Sequence, residues 1–76
     1  MSERAPRIDG RMLASALRKV GFVDDGMRGS HLHLWHPGDK RSVTIPVHGK
    51  KTVPPGTLAA ILRDIEMSVE ELRRLV

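Results

Sequence analysis

Between residues 31 and 48, apolar and polar side chains alternate in two short runs separated by a turn. In His31-Leu32-His33-Leu34-Trp35 the leucines fall on one side, and the imidazoles and the indole on the other. From Ser42 onward, Val43, Ile45 and Val47 oppose Thr44, Pro46 and His48. A period of two sends successive side chains to opposite faces of a strand, and Pro37-Gly38-Asp39 supplies the turn between the runs. The chain is therefore held to an antiparallel hairpin with one apolar face that must be covered. Its other face carries histidine, tryptophan and threonine.

The flanking segments supply the cover. Asp9 is a good N-cap for a helix from Gly10 to Val20, with Met12, Leu13, Ala16, Leu17 and Val20 on one stripe. Ile8 before the cap is placed to pack on Leu13 as a hydrophobic staple, and Gly21 suits the left-handed residue that ends a helix. Phe22 and Val23 begin a first strand, which Asp24, Asp25 and Gly26 make brief or bulged. Val53-Pro54-Pro55-Gly56 opens a second helix, since proline is tolerated in a first turn. Its Leu58, Ile61, Leu62 and Ile65 form an apolar stripe. Ser68 and Glu71 match a capping box, ahead of a short last helix that sends Val69, Leu72 and either Leu75 or Val76 inward.

The expected fold is thus α+β, in the order α-β-β-β-α-α, with a three-stranded antiparallel sheet covered on one face by helices. Seventy-six residues make one domain, 1–76, of which residues 1–7 read as a loose arm. The chain has no cysteine, which excludes disulfides and thiolate-held zinc and favours a reducing compartment. No apolar run reaches the length that spans a bilayer, and no hydrophobic leader opens the sequence. A cytoplasmic protein with no membrane partner is expected.

Thirteen Lys and Arg against nine Asp and Glu leave a formal charge of +4. On so small a surface that surplus suits a polyanionic partner, although solubility alone would also explain it. Lys50 and Lys51 precede the second helix, and a helix N-terminus with lysines beside it is a ready anion site. Arg28, Lys40 and Arg41 stand at strand ends around the same surface. Imidazoles with an arc of cations beside an open sheet suit a phosphodiester substrate. His31 is singled out because Gly29-Ser30 precedes it, and glycine lets the backbone bend where the first two strands join. Imidazole titrates near neutrality, as general acid–base work requires. His33, His36 and His48 are read as ordinary polar positions. Trp35 either shields the sheet edge or stacks on a base. His31, His33 and His48 could also be zinc ligands. No Asp, Glu or Cys stands near to complete that set, however, and the lysines oppose a cation, so no metal and no cofactor is expected.

Three segments, RGSHLHLWHP (28–37), VTIPVHGKK (43–51) and PPGTLAAILRDIEMS (54–68), resemble in content and order the HicA-type toxin family. The likeness runs from about Ile8 to Leu75. It implies a fold like a double-stranded-RNA-binding domain, and a small metal-independent ribonuclease of a toxin–antitoxin system that cleaves messenger RNA and arrests translation and growth. The family's catalytic histidine, in its glycine-serine-histidine motif, corresponds to His31. The reading of the residues themselves adds Arg28, Gly29, Ser30, Trp35, Lys50 and Lys51 as the expected RNA-binding residues. The implied partners are mRNA and a HicB-type antitoxin that covers the active surface in a hetero-oligomer. Asp24, Asp25 and Gly26 depart from the family, whose first strand is commonly richer in strand-forming and basic residues. From the residues alone, a non-catalytic RNA-binding module and a protein-interaction adaptor remain alternatives.

Overall fold

The computed structural model describes residues 5–76. Helix α1 spans Gly10–Lys19. Strands β1 (Val23–Arg28), β2 (His31–Trp35) and β3 (Ser42–Pro46) follow, then α2 (Pro55–Asp64) and α3 (Val69–Leu75). The sheet is an antiparallel meander in the order β1-β2-β3. This is the α+β fold expected, helix then three strands then two helices, and it is the double-stranded-RNA-binding-domain-like arrangement.

The start of α1 shows why these residues make a helix there. The Asp9 carboxylate accepts the Met12 N–H at 2.8 Å, satisfying a donor that has no partner within the helix. Ile8 and Leu13 both enter the core. The buried stripe is Gly10, Leu13, Ala14, Ala16 and Leu17. Met12 and Val20, expected on that stripe, are exposed, and Ala14 takes the inner position. The stripe is rotated and moved toward the N-terminus relative to the prediction, where α1 lies close to the sheet: a Cβ on Gly10 would overlap the carbonyl oxygen of Pro46.

Leu32, Leu34, Val43 and Ile45 form the inner face of the sheet and pack with Leu17, Phe22, Leu58, Ile61, Leu62 and Leu72. The strict alternation of β2 and β3 is therefore realised as two faces. β1 differs. All six of its residues are exposed, including Met27, which lies on the helix side opposite Leu32. The cover thus stops short of this edge strand. The pairing register shifts between Asp24 and Met27, a bulge that takes up Asp25 and Gly26. The strand is bulged as expected but not brief. On the helix side, Asp24 is held by Arg18 of α1 through two hydrogen bonds, at 2.8 and 3.0 Å.

β3 ends at Pro46, which pairs with His31 but has no N–H to donate. Val47 instead donates its N–H to the Ser30 carbonyl at 2.6 Å and packs half-buried against the core. A single antiparallel bridge, Asp9 with Thr52, and the Val53 N–H to Ile8 carbonyl bond at 2.9 Å tie together the chain entering α1 and the chain entering α2. In α3 the Ser68–Glu71 capping box forms in both directions. Leu72 is fully buried, Leu75 is partly buried and Val76 is exposed, which resolves the open choice for the last helix. The loose arm expected over residues 1–7 falls in part on 1–4, outside the described residues. Ala5, within it, packs against the core.

Candidate functional site

The face of the sheet turned away from the helices carries His31, His33 and Trp35 from β2, with Thr44 opposite His33. At one end, β1 and β2 join through the two residues Gly29 and Ser30, with Arg28 paired to His31. Gly29 has φ +57°, and Ser30 does not have a positive φ. This is the φ pattern of a type II′ hairpin turn, which takes glycine first. The Ser30 carbonyl is bonded to the Val47 N–H, and His31 is paired to Pro46 on its other side. The backbone of His31 is therefore fixed from both neighbouring strands, while its side chain is exposed.

The His48 ring stands against the His31 ring, with centroids 6.1 Å apart and planes at 82°. His48 begins a turn closed by the Lys51 N–H to His48 carbonyl bond at 3.1 Å, and Lys50 and Lys51 leave from that turn, both exposed. Among the described residues no ion pair engages Arg28, Lys50 or Lys51. The structure thus groups His31, Arg28, Gly29 and Ser30 at one corner with His48 beside them, and the two lysines follow at once in the chain. Trp35 is exposed on the same face at the far end of β2, roughly 13 Å away by the rise of four strand residues. It is not gathered into the corner.

The middle of the face is less open than the sequence suggested. His33 is half-buried, and its Nδ1 lies 2.9 Å from the Thr44 hydroxyl. An open groove of about 610 Å³ reaches from here to the helix side of the sheet: His33 and Thr44 line it with the inward-facing Leu34 and Val43, with Arg28 and Asp25 of β1, and with Thr57 and Asp64 of α2. Two carboxylates share it with one guanidinium, so this part of the surface has mixed charge. Sequence reasoning placed His33 and Thr44 on one face. It could not find their bond, nor the approach of α2, because neither leaves a local signal.

Two expected surface residues serve the fold instead. Arg41, placed in the arc of cations, is bound to Asp39 through its side chain at 2.7 Å, donates to the Ile65 carbonyl and lies over the Phe22 ring at 5.6 Å. The Asp39 carboxyl is held below its usual range by the Arg41 side-chain hydrogen bond, reinforced by the Arg41 backbone N–H. Asp24 is likewise lowered by its hydrogen bonds from Arg18. His36, read as an ordinary polar position, links the β2–β3 turn to the end of α1. Its Nε2 is 3.0 Å from the Val20 carbonyl, and its Nδ1 accepts the Gly38 N–H at 3.1 Å. Among the described residues, no three His, Asp or Glu side chains come together in a way that could hold a metal ion.

The family model described as HicA toxin of bacterial toxin-antitoxin matches residues 10–67, from the first residue of α1 through the whole sheet and α2. No curated protein matches the chain.

Proposed function

The chain belongs to the HicA toxin family of bacterial toxin–antitoxin systems, and from that premise we propose that it is a metal-independent endoribonuclease that cleaves messenger RNA with His31. A toxin of this kind has an antitoxin as partner. We assign that role to a HicB-type protein that seats on the bare sheet face and excludes RNA from it, in a hetero-oligomer. No helix among the described residues is long and apolar enough to cross a membrane, and the proposed place of action is the cytoplasm, where the transcripts are.

The observation that carries the reading is the setting of His31. Its imidazole is exposed on the uncovered face, and its backbone is pinned between β1 and β3. RNA brings its own nucleophile, the 2′-hydroxyl. In this reading His31 accepts the proton from that hydroxyl as the oxygen attacks phosphorus, a contribution on the order of 10²–10⁴-fold. Arg28, Lys50 and Lys51 neutralise the charge that builds on the phosphoryl oxygens or hold the flanking phosphates. Gly29 and Ser30 let the backbone turn tightly beside the scissile phosphate. Trp35, at the other end of the strip, offers a ring for a neighbouring base to stack on.

The test is His31→Ala. The variant is expected to keep the wild-type helical signal and thermal midpoint, to lose RNA cleavage and to permit growth after induction. Wild-type products are expected to end in a 2′,3′-cyclic phosphate. Cleavage and growth arrest retained by the variant, or a 3′-hydroxyl on the upstream product, would exclude the assignment. RNA binding without any cut by the wild type would favour a non-catalytic binding module.

A further inference from the structure

We propose that His48 is the general acid of the cleavage reaction, protonating the 5′ leaving oxygen while His31 acts as base; this rests on the nuclease reading above. A base alone leaves the reaction unfinished, because an alkoxide is a poor leaving group. The bond to the 5′ oxygen breaks readily only if a proton arrives there. Two imidazoles that serve opposite oxygens of one phosphorus must each come within about 3 Å of their oxygen. They must therefore stand several ångströms apart, with room for a phosphoryl group between or above them. The rings of His31 and His48, 6.1 Å between centroids and nearly perpendicular, have that separation.

The surroundings distinguish His48 from the other histidines. His36 is tied at both ring nitrogens. His33 is half-buried and bonded to Thr44. His48 is exposed, and among the described residues no hydrogen bond holds its ring or that of His31. Its backbone is nonetheless fixed: Val47 before it is bonded to Ser30, the residue just before His31, and its own carbonyl closes the turn to Lys51. The two histidines are thus 17 residues apart in sequence and locked to one another through the Ser30–Val47 bond. The charged and titratable groups around the pair are Arg28 opposite His31 on β1, His33 two residues along β2, and Lys50 and Lys51 after His48. Asp9, at the α1 end packed near Pro46, is engaged by the Met12 N–H.

The step balances as follows. A neutral His31 nitrogen takes the 2′-hydroxyl proton, and the 2′ oxygen bonds to phosphorus. The bond from phosphorus to the 5′ oxygen breaks, and that oxygen takes a proton from the His48 imidazolium. The products are a 2′,3′-cyclic phosphate and a 5′-hydroxyl. His31 is left protonated and His48 neutral, and exchange with solvent resets both.

The experiment compares wild type, His31→Ala, His48→Ala and His48→Gln on two substrates. One is an RNA spanning a mapped cleavage site. The other is the same RNA with sulfur in place of the 5′-bridging oxygen, whose thiolate leaves without a proton. Both His48 variants are expected to lose about 10²–10⁴-fold on the ordinary RNA and to recover near wild-type rates on the sulfur RNA. His31→Ala should stay slow on both. Wild-type kcat/KM is expected to follow a bell-shaped pH profile that loses its alkaline limb in the His48 variants and its acid limb in His31→Ala. Wild-type rates for the His48 variants on ordinary RNA, or equal losses on both substrates with an unchanged thermal midpoint, would overturn the acid role and leave His31 untouched. Sulfur rescue of His31→Ala in place of the His48 variants would reverse the roles and overturn the assignment. Failure of the wild type to cut, or full activity in His31→Ala, would instead remove the nuclease reading and the acid role with it.

Discussion

The four histidines show how little the identity of a residue says about its task. His36 has a partner at each nitrogen, and the Gly38 N–H at Nδ1 assigns the proton of the neutral ring to Nε2, which donates to the Val20 carbonyl. Its ring also meets Phe22 edge-on, with centroids 5.2 Å apart. Removing it loses two hydrogen bonds and the edge contact with Phe22, at about 0.5–1.5 kcal/mol for each bond. His36→Ala is accordingly expected to lower the urea midpoint clearly, whereas His31→Ala, at an exposed position, should change stability by no more than roughly 0.5 kcal/mol. Equilibrium unfolding of the two variants side by side checks this. Equal midpoints would mean that the His36 bonds contribute nothing. His31 could be singled out in the sequence because glycine and serine precede it. His36 could not be, because its partners Val20 and Phe22 lie 16 and 14 residues away and meet it only after α1 has packed on the sheet.

At the scale of elements, the polar ties are short-range in chemistry and long-range in effect. The capping box of α3 and the Asp9 cap of α1 were readable from spacing, since donor and acceptor lie three residues apart. The tie from the β2–β3 turn to the end of α2 was not. Asp39 orients Arg41, and Arg41 then reaches the Ile65 carbonyl across the core edge. Asp39 and Asp24 are both held below the usual carboxylate range by arginine hydrogen bonds. A carboxyl lowered in the folded state contributes stability that is complete above the unfolded value, about 3.9, and is lost as pH falls through the folded value. Stability is therefore expected to be level near neutrality and to fall once pH drops below about 4. Asp39→Asn should flatten part of that acid limb. Both pairs are exposed, so added salt should shrink the effect. Urea midpoints measured from pH 7 to pH 3, with and without salt, test the assignment; an unchanged acid limb in Asp39→Asn would refute it.

Across the whole molecule, a net charge of +4 becomes meaningful only when sorted by partner. Arg18, Arg41 and Arg74 are committed to acids, and Asp25 and Asp64 enter the groove beside His33. Among the described residues, Arg28, Lys50 and Lys51 make no ion pair and are the cations at or directly following the His31 corner. In the proposed reading these lysines contact phosphates. In the non-cleaving His31→Ala background, changing both to alanine should then reduce the slope of log affinity for single-stranded RNA against log salt by about 1.4. The same double change with the slope intact would remove them from the RNA surface. Sequence alone determined the order of the elements, the caps of α1 and α3 and the sidedness of β2 and β3, and it singled out His31 for the proposal, because each is written in the spacing of neighbouring residues. Only the tertiary structure decided which cations are already spent, which histidine braces the fold and which one stands beside His31. Those outcomes depend on segments far apart in the chain arriving at one place, and packing sets that arrival while local pattern does not record it.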